Sequence, residues 1–323
     1  MSLVPELASV PVVRRLVLAS PRGYCAGVER AVETVERALA LHGPPVYVRK
    51  QIVHNAHVVR ELERRGAVFV ESEEDAPPGA LLVLSAHGVA PAVRRRAAER
   101  RLRLVDATCP LVAKVHAEAR RYAGDGYSVL LVGHAGHEEV EGTLGEAPEA
   151  TMLVETLADA ERVTVPDPSR VAYVTQTTLS VDETAEIVAT LRRRFPAIAG
   201  PRKDDICYAT TNRQRAVKQL AAEVDVLLVI GSDNSSNSKR LVETARAAGV
   251  EAHLIEDETA IDERWLDAAE TVGLTSGASA PERLVARVCQ WFRERGVHEI
   301  RAAGAAVEDV FFRLPAEVRL PAA

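Results

Sequence analysis

The sequence contains no apolar run long enough to span a membrane, no closely spaced pair of cysteines and no excess of positive charge. Each absence removes a class of protein. A bilayer core needs about 20 consecutive apolar residues, so no membrane helix is expected. The first residues, with Pro5, Glu6 and Pro11, lack a basic start ahead of an apolar core, so a secretory signal is not expected either. Four cysteines scattered over 323 residues do not make a disulfide framework, and a reducing cytoplasm suits them better. Forty Lys and Arg against 46 Asp and Glu leave a net charge of −6, which argues against a general nucleic-acid surface. The short basic runs at 94–96 and 192–194 have apolar neighbours at helical spacing and read as solvated helix faces. What remains is an ordinary globular composition, 47% hydrophobic and 27% charged, in a length that suits two or three domains.

Three of the cysteines share a setting. Cys25 lies in Gly-Tyr-Cys-Ala-Gly, Cys109 in Asp-Ala-Thr-Cys-Pro-Leu and Cys207 in Asp-Asp-Ile-Cys-Tyr-Ala-Thr-Thr-Asn. Each precedes an amphipathic helical pattern: Val28, Val32, Val35 and Leu39 after the first, Leu111, Val115, Ala119 and Tyr122 after the second, Val217 and Leu220 after the third. Thr211 and Gln214 have the spacing of a capping box for that third helix. A cysteine at a helix N-terminus has its thiolate stabilised by the dipole, which suits a metal ligand or a reactive thiol. Cys289 sits at helical spacing with Val285 and Val288 and reads as core.

The layout repeats three times. Short β-type runs alternate with helical ones, the pattern of a parallel sheet with crossover helices. The expected units are 16–106, 107–204 and 205–290, with 291–323 as a tail packing on the body. Each unit supplies a cysteine turn and two polar loops after buried strands, where ligands of open parallel sheets gather. The weak point is 202–205, Arg-Lys-Asp-Asp, a poor strand before Cys207.

Three cysteines from separate turns fit a zinc site, three core thiols or an iron–sulfur ligand set. Structural zinc normally takes four ligands, commonly with two in a close pair. Three thiolates suit a four-iron cluster with one iron left uncapped. His54, His87 and His137 lie in comparable loops, and Glu139 beside His137 is proton-transfer equipment. Glu138 and Glu141 read as a solvated acidic loop. Thr177, Thr178, Ser235, Ser236, Asn237 and Ser279 bring hydroxyls and an amide to Gly- and Ser-rich turns, and together they suit a phosphate or diphosphate. Lys239 and Arg240 fall beyond the loop, where a helix should carry them outward. A redox sensor would need the cysteines without these loops, and a zinc phosphohydrolase would want more His and Asp ligands.

Many stretches in order, among them Gly-Tyr-Cys-Ala-Gly-Val, Ile-Val-His-Asn, Ser-Ala-His-Gly-Val, Asp-Ala-Thr-Cys-Pro-Leu-Val, Glu-Val-Glu-Gly-Thr, Thr-Gln-Thr-Thr-Leu-Ser and Asn-Ser-Ser-Asn-Ser, resemble the LytB/IspH family over about residues 16–315. That family reduces 4-hydroxy-3-methylbut-2-enyl diphosphate in the last step of the non-mevalonate isoprenoid pathway. The resemblance implies an α/β fold of three pseudo-repeated units, a trefoil, around a central [4Fe-4S] cluster held by Cys25, Cys109 and Cys207. It implies that the substrate hydroxyl meets the open iron and that His54, His87, His137, Thr178, Ser235, Ser236, Asn237 and Ser279 hold the diphosphate. It gives proton relay to Glu139 with Thr177, and electron supply to a ferredoxin or flavodoxin. The departures are small: Lys50-Gln51 precede His54, Glu138 stands where Pro is common, and Asp233 precedes Asn-Ser-Ser.

Overall fold

The computed structural model describes residues 13–304 and 307–319. These form two compact units, one of 13–23 with Asn212–Val307, the other of Tyr24–Thr211 with 308–319.

The Tyr24–Thr211 unit carries two parallel sheets. The first contains β1 (Val46–Arg49), β2 (Ala67–Val70), β3 (Leu81–Leu84) and β4 (Arg103–Asp106), in the order β2-β1-β3-β4. The second contains β5 (Ser128–Val132), β6 (Thr151–Val154) and β7 (Val171–Thr175), in the order β6-β5-β7. β3 and β7 are buried at every position, which explains their unbroken apolar sequence, whereas the edge strand β2 is largely half-buried or exposed. Helix Ala26–His42 packs Ala31, Val35, Ala38 and Leu39 into the core of the first sheet, with Val28 and Val32 partly buried beside them. Helix Pro110–Gly124 turns Val115, Ala119 and Tyr122 onto the second sheet, as its spacing predicts, although Val112 rather than Leu111 is the buried residue in its first turn.

The other unit is built on one five-stranded parallel sheet. Its strands are Arg15–Ala19, Val226–Ile230, Glu251–Ile255, Thr271–Ser276 and Glu299–Ala303. The first of these, which leads in sequence to the Cys25 turn, pairs with Thr271–Ser276 on one side and Glu299–Ala303 on the other. It therefore belongs to the sheet of the last third. The stretch beyond 290 is also more than an appended tail. It finishes helix Glu282–Glu294 and supplies the edge strand Glu299–Ala303. In the Tyr24–Thr211 unit, Leu314 and Val318 pack on the core under helix Ala26–His42, while Phe311 stands exposed.

Two helix starts differ from expectation. The third cysteine's helix runs Tyr208–Ala221, and the Thr211 N–H bonds to the Cys207 carbonyl at 3.0 Å. Thr211 is thus inside the first turn and caps nothing. The helix carrying Lys239 and Arg240 begins at Ser236, because the Ser235 hydroxyl accepts the Ser238 N–H at 3.3 Å and caps it, so Ser236 and Asn237 belong to its first turn rather than to the loop.

Candidate functional site

All three expected ligand cysteines lie in the Tyr24–Thr211 unit, and each begins a helix. The carbonyls of Cys25, Cys109 and Cys207 accept the first helical bonds, from Glu29, Ala113 and Thr211, at 2.9, 2.9 and 3.0 Å. Their side chains therefore stand beside the N–H groups that a first turn does not use within its own helix. The turns are stitched together. The Ala26 N–H donates to the Tyr208 hydroxyl at 3.1 Å. Arg30 donates to the Thr108 and Asp106 carbonyls at 3.0 and 3.3 Å.

The sulfurs face one another. A Cβ on Gly27 would fall 2.7 Å from the Cys109 Sγ and 3.8 Å from the Cys25 Sγ, so a larger residue there would occupy the space beside both thiols. Burial pushes the Cys109 thiol up to about 12, and the charge of Cys25 adds to it; backbone N–H groups of Leu111 and Val112 pull the other way. Burial, then Cys25, likewise raises Cys207 to about 11 against the hydrogen bonds from Thr210. The dipole alone predicts the reverse, so here desolvation and mutual repulsion outweigh it. Three crowded, half-buried thiols are a donor set that iron would ionise and satisfy. Among the described residues, the set of three ligating side chains whose donor atoms all lie within 4.8 Å of one another is His54, His87 and Glu138, not the cysteines. One tetrahedral ion would hold its thiolates about 3.8 Å apart, so the wider cysteine set fits a polynuclear cluster better than zinc. Cys289 lies in the other unit, buried inside helix Glu282–Glu294 among Val285, Val288 and Phe292.

The three histidines also converge. His54 and His87 stack at 4.0 Å between ring centroids, and His137 meets them edge-on at 5.5 and 5.8 Å. Burial, and then the neighbouring imidazole His87, lowers His54 to about 2 and His137 to about 3, so both are neutral. His137 caps helix Glu138–Leu144 by accepting the Glu139 N–H at its Nδ1. Its proton therefore sits on Nε2, a buried atom with no hydrogen-bond partner among the described residues. Such a donor awaits an acceptor from outside the chain.

Glu139 is 2% exposed, with one carboxylate oxygen on the Thr177 N–H at 2.7 Å and the other on its hydroxyl at 2.9 Å. Burial raises its carboxyl above the ordinary value, against both bonds. The Thr177 carbonyl accepts the Cys207 N–H at 3.0 Å, and the Ala86 carbonyl, next to His87, accepts the Cys109 N–H at 2.9 Å. Acid, imidazoles and thiols thus hang on one hydrogen-bonded frame. Thr178, half-buried, accepts from Gln176 at 3.0 Å, a contact that orients the same loop.

Glu138 corrects the sequence reading. Its side chain is 13% exposed, takes a bond from the Ser85 hydroxyl and lies 3.3 Å from His87 Nδ1, so it is no solvated loop residue. Burial opposes its ionisation, but His87 and the charges around it hold the carboxyl below the ordinary value. Glu141 is exposed as expected and pairs with Lys50 at 3.3 Å.

The remaining expected residues lie in the other unit, on two loops after the strands Val226–Ile230 and Thr271–Ser276. Ser235, Asn237 and Ser279 are buried and Ser236 half-buried. Asn237 Oδ1 accepts the Ala278 N–H at 2.8 Å and joins the loops. A Cβ on Gly231 or Gly277 would fall 2.1 or 2.0 Å from the Ser238 Oγ, so both glycines are needed for that serine to wedge between them. Lys239 points outward and pairs with Asp233 at 3.3 Å; Arg240, expected outward too, is largely covered and pairs with Glu243.

Sequence reasoning missed a buried network behind the histidines. His116 Nδ1 meets Glu146 at 2.8 Å, and Arg120 holds the other carboxylate oxygen at 2.6 Å. The signal was a titratable residue on the apolar stripe of Val112, Val115 and Ala119.

The LytB protein family model matches residues 16–293. The chain is 61% identical to the 4-hydroxy-3-methylbut-2-enyl diphosphate reductase of Acidothermus cellulolyticus, over 95% of this chain and 90% of that one. It is 59% identical to the enzyme of the same name from Mycobacterium ulcerans, over 97% and 95%. Among solved structures it is similar to the E-1-hydroxy-2-methyl-but-2-enyl-4-diphosphate reductase of Plasmodium falciparum, with a TM-score of 0.92 at 39% identity over 95% of this chain and 97% of that one. With its α/β fold of parallel sheets, this chain belongs to the LytB family.

Proposed function

We propose that the chain reduces 4-hydroxy-3-methylbut-2-enyl diphosphate to isopentenyl and dimethylallyl diphosphate, with loss of water. Two electrons and two protons enter, the allylic C–O bond breaks, and a C–H bond forms at one end of the allyl unit or the other. Cys25, Cys109 and Cys207 would hold a [4Fe-4S] cluster at the centre of a three-unit trefoil, and that cluster would supply the electrons, drawn from a ferredoxin or flavodoxin.

The residues of the chain handle protons and position. Burial raises the Glu139 carboxyl and so favours its protonated form, and Thr177 fixes both of its oxygens so that the carboxyl faces one way. The leaving hydroxyl takes that proton as the C–O bond breaks. Neutral His54 and His137, with His87, Thr178, Ser235, Ser236, Asn237 and Ser279, serve the diphosphate as hydrogen-bond partners rather than as a cationic patch. Donors of fixed orientation cost little reorganisation when the anion arrives.

The observation that carries this reading is the Glu139–Thr177–Cys207 frame, a buried acid tied through a single residue to a candidate ligand turn. Its test is anaerobic turnover of the iron-loaded protein with a strong reductant. Both C5 diphosphates are expected as products; loaded protein that leaves the substrate intact would contradict the assignment.

A further inference from the structure

Glu138 creates a feature that the reductive chemistry does not use. Its Oε2 lies 3.3 Å from the Nδ1 of His87, a buried nitrogen with no other hydrogen-bond partner among the described residues. Ligands at about 2.0–2.1 Å around a tetrahedral ion are separated by about 3.3–3.4 Å, the same spacing. A His54 nitrogen completes the set, all three donor atoms lying within 4.8 Å of one another. The Ser85 hydroxyl donates to the same carboxylate oxygen and fixes its direction, as outer partners of metal ligands do.

We propose that His54, His87 and Glu138 form a binding site for one divalent ion of the zinc class. Two imidazoles and a carboxylate favour a borderline ion over magnesium or calcium, which prefer all-oxygen sets. Lys50, whose charge acts on both His54 and Glu138, is engaged with Glu141. Three protein ligands leave a fourth position open. If these imidazoles also receive the diphosphate, as proposed above, zinc and substrate compete; that consequence rests on the functional reading, while the ion site itself does not.

The test is equilibrium dialysis of the anaerobic, iron-loaded protein against buffered Zn²⁺, with zinc and iron both counted. The wild type should take up one zinc per chain with its iron unchanged. Glu138→Gln, which keeps shape but not charge, should weaken uptake by at least about tenfold, the loss that even an outer partner causes. Glu149→Gln, which alters an exposed carboxylate outside the set, should bind like the wild type. Equal uptake by wild type and Glu138→Gln, or zinc gained only as iron is lost, would overturn the site. Site-specific uptake that leaves substrate affinity untouched would support the ion site and instead overturn placement of the diphosphate on these imidazoles.

Discussion

The two units of the chain present opposite kinds of polar chemistry. The Tyr24–Thr211 unit gathers groups whose protonation can change, three half-buried thiols, three half-buried imidazoles and the buried Glu139 carboxyl, several displaced from their ordinary pKa by desolvation. The other unit offers Ser235, Ser236, Asn237 and Ser279, none of which titrates, on loops whose register is fixed by the Asn237–Ala278 bond and by Ser238 between two glycines. In the proposed function the thiols and the carboxyl serve the chemistry, while recognition also draws on the neutral imidazoles. A group that must exchange a proton or hold a metal is useful because its environment strains its charge state. A group that only recognises an anion is useful because it never changes.

The largest effects should come from the first unit. Serine at Cys25, Cys109 or Cys207 should each abolish iron loading and activity, whereas Cys289→Ser, in the other unit's core, should keep both. Metal analysis of the four proteins checks this, and a colourless Cys289→Ser beside a loaded Cys25→Ser would break the contrast. Next, Glu139→Gln should lower turnover by about 10²–10⁴, the range of a general acid, while substrate still perturbs the visible spectrum. The pH profile carries the sign. Burial raises the Glu139 carboxyl, so its proton is present below that raised value and lost as pH climbs through it. Activity should therefore fall on the alkaline side of the ordinary carboxylate range, and this limb should vanish in the Gln variant.

Smaller effects belong to the second unit. Ser236→Ala removes one hydrogen bond to a charged group, about 1.5–3 kcal/mol, and should weaken substrate binding about ten- to a hundredfold. Lys239→Ala should change it least, because that ammonium is half-exposed and already paired with Asp233. Titrating the anaerobic protein at low and high salt distinguishes the two. A larger loss for Lys239→Ala, with strong salt dependence, would mean that charge holds the diphosphate.

Much of this was legible in the sequence because it is local. The strands Ala67–Val70, Ser128–Val132, Thr151–Val154 and Val226–Ile230 announce themselves by short apolar runs bounded by polar turns. The cysteine turns are read from the helices that follow them. What escaped depends on partners far along the chain. No residue of Arg15–Ala19 says that its neighbours will be Thr271–Ser276 and Glu299–Ala303. Glu138 looks like a solvent residue until Ser85 and His87 are placed against it. The thiols were expected to be acidic from the helix dipole, a local effect, and are instead weakened by burial, which only the packed structure supplies. His116 belongs with these: its role shows only once Glu146 and Arg120 close around it.

The central claim is that three half-buried cysteines at helix N-termini hold a polynuclear iron–sulfur group rather than a single ion. Iron, acid-labile sulfide and zinc counted together on anaerobically purified protein, with the visible spectrum recorded on the same sample, test it most directly. The account predicts about four irons and four sulfides per chain, a broad visible absorption and no zinc on the cysteines. Stoichiometric zinc held by the cysteines in a colourless, sulfide-free protein would contradict it.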